Sequence, residues 1–197
     1  MIPFKNILVV RTDRMGDVVL TIPSIRALKK QFPGAKVSVW LDASTRPLMG
    51  GLSFIDDLIV EDKERGWQGF FALVALLRRK RFDLAVIYHT KRRTNAACAL
   101  AGIPMRLGYK NNKNGWMLTH PVEDRRHIGE KHEVMYCLDL LRPIGVESTD
   151  ISLELPHDKA AELWANDMVH SILEDQPFWY FIPMPVVPHA AGRQPLM

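Results

Sequence analysis

Between Ile7 and Phe32 the chain passes from a continuous apolar run, through a polar loop, into a helical spacing of apolar positions, and later segments repeat that alternation. Ile7, Leu8, Val9 and Val10 form the unbroken run expected of a parallel strand covered on both faces. The loop Arg11-Thr12-Asp13-Arg14-Met15-Gly16-Asp17 follows. Ile22, Ile25, Leu28 and Phe32 then recur three or four places apart, with Pro23 suited to the first turn of a helix. Pro33-Gly34 turns the chain, Lys36 to Leu41 alternates into a second strand, and Ser44 to Met49 has room for one or two helical turns. Leu58-Ile59-Val60 is a brief third strand. Trp67, Phe70, Phe71, Val74 and Leu77 mark one face of a helix, which predicts aromatic anchors packed against a sheet. Arg78 to Arg81 suit its carboxyl end, where the helix dipole favours cations.

Phe82 to Tyr88 is a fourth buried strand, and His89, Thr90, Lys91, Arg92 and Arg93 follow where the sheet's carboxyl edge should lie. Two polar strand ends are therefore expected to face one crevice. Asn95 to Ala101 reads as a small-residue helix ending at Gly102, and Met105 to Tyr109 as a short strand or extended passage. Lys110 to Gly115 reads as a mobile, Asn-rich loop, and Trp116-Met117-Leu118 as a return to apolar surroundings. A helix from Glu130 turns Val134, Cys137, Leu138 and Leu141 inward before Pro143-Ile144-Gly145. Ile151 to Leu155 carries a strand signal, and His157 to Leu173 a helical one. This succession predicts an α/β fold with a Rossmann-like, doubly wound parallel sheet. Residues 1–155 are expected to form that domain, 156–177 a helical extension, and the Pro-interrupted 178–197 an aberrant or poorly ordered tail.

Composition narrows the class. With 47% hydrophobic and 24% charged residues the chain is globular rather than disordered. No apolar stretch approaches the roughly 20 residues of a membrane span. The start MIPFKN lacks the order of a signal peptide, so cytoplasm is the default expectation. Cys98 and Cys137 sit in apolar helical patterns and read as core. Charge is uneven: residues 78–131 hold 13 basic against 4 acidic side chains, whereas 132–197 hold 3 against 10. A basic middle is a solvated surface, a nucleic-acid footprint, or a docking face for a phosphorylated substrate at an anionic membrane. No nucleic-acid module accompanies it, so no nucleic-acid partner is expected.

In an open parallel sheet ligands bind beyond the carboxyl ends of the strands, where Asp17 beside Gly16 is predicted to lie. Spacing alone leaves two roles open for Asp17: a chemically active carboxylate, or a helix-start carboxylate facing the dipole. Asp13, in the same loop, is its rival. Arg11 and Arg14 suit anionic groups by their planar donors, or pair with these aspartates. Lys91, Arg92 and Arg93 stand at the second strand end; His89, His127 and His132 are candidate sugar contacts or structural residues. The His and carboxylate spacing implies no metal, and neither GxGxxG nor GxxxxGK[ST] is present, which lowers nicotinamide and P-loop readings.

Four stretches, RTDRMGDVVLTIPSIRALKKQFPGAKVSVW, FDLAVIYHTKRRTNAACALAGIPMRLGY, DRRHIGEKHEV and CLDLLRPIGV, carry a resemblance. Together they are similar to the ADP-heptose:lipopolysaccharide heptosyltransferases of glycosyltransferase family 9, over roughly residues 5 to 155. The Gly-Asp motif and the Arg-Leu-Gly-Tyr segment are its specific parts. The resemblance implies the amino-terminal, acceptor-side domain of a two-domain GT-B glycosyltransferase, here truncated. It implies Asp17 as the catalytic base. Acceptor contacts are implied from Arg11, Thr12, Asp13, Arg14 and Gly16, from Lys91, Arg92 and Arg106, and from Arg125, Arg126 and Lys131. The donor would be ADP-L-glycero-D-manno-heptose, with no cofactor. The acceptor would be a phosphorylated lipid A precursor bearing Kdo or heptose, met in the cytoplasm and in peripheral contact with the inner membrane surface. Because the family's donor-binding domain has no counterpart here, the chain alone is expected to be inactive. The alternative is a non-enzymatic acceptor-binding or partner-binding remnant; a dinucleotide oxidoreductase domain rests on fold analogy alone.

Overall fold

In β1 (Asn6–Val10) successive side chains point to opposite faces, and both faces are dry. Ile7 and Val9 enter one core and Leu8 and Val10 the other. A computed structural model of the chain describes residues 4–110, 115–156 and 159–173. Beside β1 lie β2 (Lys36–Leu41), β3 (Asp57–Val60), β4 (Leu84–Ile87), β5 (Met105–Lys110) and β6 (His120–Glu123). They form one sheet in the order β3-β2-β1-β4-β5-β6, and every pairing is parallel. The order reverses at β1, which opens a crevice between the carboxyl ends of β1 and β4.

Helices cover both faces, as a parallel sheet requires. On one flank α1 (Met15–Gln31) and α4 (Glu133–Asp139) bury Val18, Ile22, Ile25, Leu28, Val134 and Leu138. On the other, α2 (Gly66–Lys80) and α3 (Arg92–Leu100) bury Phe70, Leu73, Leu77, Ala97 and Cys98. Each fully buried aliphatic side chain is worth about 1.5–3 kcal/mol, so these two layers dominate the stability of the fold. Inside the first, the Tyr88 hydroxyl donates to Ser24 Oγ at 2.8 Å, and Ser24 donates to the Thr21 carbonyl at 2.7 Å, so these two buried hydroxyls are satisfied.

Several details differ from the sequence reading. The first helix begins at Met15, so Pro23 lies inside it rather than in its first turn. Trp67 and Phe71 are not core anchors: they are 71% and 59% exposed, because the inward arc of α2 is filled by Phe70, Leu73 and Leu77. Trp116 likewise points outward, although Met117 and Leu118 are buried. Residues 151–156 form no strand; their backbone is tied down instead by Arg26, which donates to Ser152 and pairs with Asp150 at 3.0 Å. Ser44 to Met49 falls largely in a 3₁₀ turn at Ala43–Leu48. The strand β6 went unforeseen, since four residues containing Pro121 carry little pattern, and an edge tolerates proline. The loop expected over 111–114 and the tail expected over 178–197 lie outside the described residues.

The chain divides into two units, Met1–His157 and Asp158–Met197. The described part of the second includes α5 (Lys159–Leu173), on which Leu163, Trp164 and Met168 are exposed. Among the described residues, no helix is long and apolar enough to cross a membrane.

In the Arg-Leu-Gly-Tyr segment of β5, Gly108 has a steric reason. A Cβ there would stand 2.9 Å from the Ile87 carbonyl oxygen, 3.1 Å from Thr90 Cγ2 and 3.2 Å from Leu118 Cδ2. Gly108→Ala is expected to destabilise the domain by about 1–3 kcal/mol, measured by urea denaturation, because the nearest obstacle is backbone of β4.

Candidate active site

Arg11 follows β1 directly, and its backbone N–H still donates to the Trp40 carbonyl of β2, which holds the side chain at the mouth of the crevice. The side chain is only 2% exposed. Its Nε lies 3.0 Å from Asp13 Oδ1, and Nη2 lies 3.1 Å from Asp17 Oδ1 and 3.3 Å from Glu133 Oε1. One buried cation thus gathers three carboxylates from the β1 loop, the first turn of α1 and the first turn of α4. Of the roles left open for Arg11, the structure shows pairing with aspartates, and the residue also lines the cleft.

Asp17 is the third residue of α1 and lies beyond the carboxyl end of β1. It remains one-third exposed, whereas Asp13 is more enclosed. Gly16 has a helical backbone, and a Cβ added there would meet nothing within 4 Å. The missing side chain leaves open space beside Asp17 rather than relieving strain. Across the crevice His89, after β4, sets Nδ1 3.6 Å from Asp13 Oδ2. The two polar strand ends do meet. Burial lowers the His89 pKa from its ordinary 6.5, with Asp13 opposing that shift.

The other wall comes from the segment after β6. Arg126 stacks 4.5 Å over the Tyr109 ring, bonds both oxygens of Asp124, and lies 3.7 Å from Glu133. Hydrogen bonding from Arg126, against a smaller opposing effect of burial, holds Asp124 below the usual carboxylate range. Tyr109 donates to the Tyr136 carbonyl at 2.6 Å, fixing the ring beneath the guanidinium to α4. The cleft of about 390 Å³ is lined by Arg11, Asp13, Asp17, Asp124, Arg126, His127 and Glu133. Four carboxylates face two arginines, so its floor is net acidic.

The remaining predicted residues divide. Arg14 is exposed at the start of α1, beside the cleft, and Thr12 is half-buried in the loop. Arg125 pairs with Glu123 on the rim, and Lys131 with Asp139 at 2.6 Å. His132 caps α4 by accepting from the Val134 N–H, which assigns it a structural contact. Lys91 and Arg92 open α3 on the opposite flank of the sheet, and Arg106 there donates to the carbonyls of Met117 and Ile103. Arg92 and Arg106 line a different cleft, of about 900 Å³, with Trp116 and Leu100. Cys98 and Cys137 are buried and their thiols are pushed up to about 12, which makes them inert core residues. No group of His, Cys, Asp and Glu with metal-holding geometry occurs among the described residues.

Sequence reading missed Glu133 and Asp124. Glu133 is separated from Arg11 by 122 positions, and nothing local marks it beyond a place in the first turn of a helix.

The all-parallel sheet, covered by helices on both faces and with a carboxylate site at its switch point, is a Rossmann-like α/β domain. No protein-family profile matches the chain. It is 28% identical over 138 residues to a protein of Haemophilus influenzae assigned by name to the glycosyltransferases, a match covering 70% of this chain and 40% of that one. It is 37% identical over 76 residues to lipopolysaccharide heptosyltransferase 3 of Escherichia coli, covering 36% and 22%. A family 9 glycosyl transferase structure from Veillonella parvula superposes with a TM-score of 0.71 at 24% identity, over 85% of this chain and 49% of that one. Escherichia coli heptosyltransferase WaaC, solved with ADP-2-deoxy-2-fluoro heptose, gives 0.63 at 17% identity, over 75% and 50%. The chain is thus similar in sequence to a glycosyltransferase and to a lipopolysaccharide heptosyltransferase and in fold to family 9 structures, and it spans half or less of the length of these proteins.

Two outcomes test this geometry. Arg11→Met is expected to cost about 3 kcal/mol in denaturation experiments, since it removes the buried cation that three partly buried carboxylates share and leaves only Glu133 near another, Arg126, while Arg11→Lys costs less. For His89 the folded pKa is depressed, so the unfolded chain binds the proton more readily once pH falls below 6.5. Stability should therefore decline as pH drops from 6.5 toward that lower folded value. In His89→Gln this slope, read from thermal unfolding at successive pH values, should flatten.

Proposed function

We propose that residues 1–155 form the acceptor-side domain of a glycosyltransferase that moves L-glycero-D-manno-heptose from ADP-heptose to the lipopolysaccharide inner core. The observation that carries this reading is Asp17: a partly exposed carboxylate at the switch-point crevice, gripped by buried Arg11, with open space in front of Gly16. The relatives support the class of donor, since one is a lipopolysaccharide heptosyltransferase by name and another was solved with an ADP-heptose analogue.

In this reading the acceptor hydroxyl enters beside Gly16. Its oxygen attacks the anomeric carbon of the heptose as the bond to the ADP oxygen breaks, and ADP leaves with that electron pair. Asp17 takes the hydroxyl proton, which requires a separation of about 3 Å. Arg11 acts through Asp17 as a positioning residue: the ion pair fixes which oxygen faces the crevice. Asp13 orients Arg11 and meets His89, a supporting role in the same loop. The acceptor would be a phosphorylated, Kdo-bearing lipid A precursor. The acidic floor of the cleft repels phosphate, so its phosphates are matched by basic residues, exposed Arg14 and Arg125, Lys131, and the exposed edge of Arg126 in the cleft wall. In this reading the reaction takes place in the cytoplasm, at the inner membrane surface.

The test joins this chain to the carboxyl-terminal half of a heptosyltransferase relative and measures heptose transfer to a Kdo-lipid A acceptor. Asp17→Asn should lower turnover by about 10²-fold or more with little change in acceptor binding. Gly16→Val, whose Cβ would meet nothing within 4 Å, is expected to fold, as circular dichroism checks, yet impair transfer by obstructing the acceptor. An active fusion indifferent to both changes would return Asp17 to a helix-start carboxylate.

A further inference from the structure

We infer that His89 is a positioning residue for the Asp17 carboxylate, acting through Asp13 and Arg11, and that on gaining a proton it draws Asp13 away and weakens Asp17 as a base. The catalytic meaning of this coupling rests on the glycosyl-transfer reading of Asp17; the coupling itself does not. His89 lies outside the residues that line the Asp17 cleft, so any influence it has must pass through them. Its backbone is pinned on both sides. The His89 carbonyl accepts from the Lys91 N–H at 2.9 Å and from Thr94 Oγ1 at 3.0 Å, which ties it to the start of α3. The preceding Tyr88 N–H donates to the Val10 carbonyl of β1 at 3.1 Å. From that position Nδ1 faces Asp13 Oδ2 at 3.6 Å, too far for a hydrogen bond but within ion-pair reach. The other oxygen of Asp13 lies 3.0 Å from Arg11 Nε, and Arg11 Nη2 lies 3.1 Å from Asp17. A line of groups thus runs His89, Asp13, Arg11, Asp17, from the end of β4 to the first turn of α1.

The line is built but not closed. His89 Nδ1, Asp13 Oδ1 and Arg11 Nε are shut off from solvent, and none has a hydrogen bond among the described residues. Folded proteins leave few buried polar atoms in that state, and a side chain placed there only to fill space would do better apolar. Asp13 stands between two bases, one always charged and one that titrates. While the ring is neutral, Asp13 answers Arg11. Once the ring takes a proton from solvent, the 3.6 Å gap can close to a hydrogen bond, and the Arg11 charge falls more fully on Asp17 and Glu133. Both the new positive charge and the freed guanidinium favour ionised Asp17, which lowers its affinity for a proton. Burial keeps the proton off His89 at neutral pH, aided by Lys91 and Arg11, while Asp13 and Asp17 favour the charged ring. That attraction is mutual: a charge on Asp17 that helps His89 bind a proton is itself held ionised by the protonated ring.

The test titrates the full chain by NMR, following the His89 imidazole and the Asp17 carboxyl carbon, each assigned by its loss in His89→Gln and Asp17→Asn. The His89 midpoint is expected below 6.5, and lower still in Asp13→Asn. The Asp17 carbon should show a second inflection at the His89 midpoint, absent in His89→Gln and reduced in Asp13→Asn. Circular dichroism checks that the variants fold. A histidine with a packing role alone predicts no such inflection, and its absence overturns the inference. So does an inflection undiminished in Asp13→Asn, which would remove Asp13 from the line. In the fusion with a relative's carboxyl-terminal half, turnover should fall on acidification with the His89 midpoint. In His89→Gln that fall should move down toward the ordinary carboxylate range, about pH 4, with little change in acceptor KM. An acid limb that stays in place in His89→Gln overturns the catalytic consequence. A fusion inactive at every pH counts against the proposed function, and the two titrations still decide the coupling.

Discussion

The first-unit site depends on burying one guanidinium. Arg11 sits where β1 ends, almost wholly removed from water, and a cation so placed is tolerable only if oppositely charged groups surround it. Satisfying it draws the β1 loop, the start of α1 and the start of α4 to a single point. Elements distant in sequence are thus held in register by electrostatics at the sheet's edge, while aliphatic packing holds them along their lengths. The same demand leaves the carboxylates in excess. A cleft floor with surplus negative charge is unsuited to gripping phosphate but well suited to accepting a proton.

The fold was largely legible because a doubly covered parallel sheet writes itself as short apolar runs separated by amphipathic stretches. β1, β2, β4 and the inward faces of α1 and α4 follow directly from that pattern. The errors have a common origin. Hydrophobicity reports that a side chain avoids water in most proteins, not that this protein buries it, so Trp67 and Phe71 were read as core. The apparent strand at 151–155 failed for the complementary reason: alternation is necessary for a ladder, but a neighbouring strand is also required, and Arg26 provides contacts of another kind.

The site was legible in part. Gly16 and Asp17 stand out locally, and the meeting of the β1 and β4 ends follows from topology, as the approach of His89 to Asp13 bears out. Glu133 was invisible, because a contact across more than a hundred positions leaves no spacing to detect, and Asp124, which pairs with its near neighbour Arg126, carries no local sign that the segment after β6 faces the β1 loop. The basic residues illustrate a further limit. Sequence groups 78–131 into one positive block, yet the sheet parts it, sending Arg92 and Arg106 to one flank and Arg125 and Arg126 to the other side of the crevice.

The two outer strands bear on how such a domain meets other chains at its borders. An open sheet offers unpaired N–H and C=O groups along both borders, a template on which foreign strands can add. Here each border strand has only four residues. At β6 the proline ring of Pro121 removes a donor from the row, and at β3 the Lys80 ammonium sits 2.8 Å from Asp57, a charge pair at the start of the strand. Neither border has the length or the regular hydrogen-bonding face needed to recruit another chain, which guards this strand-rich domain against growing, edge upon edge, into an aggregate.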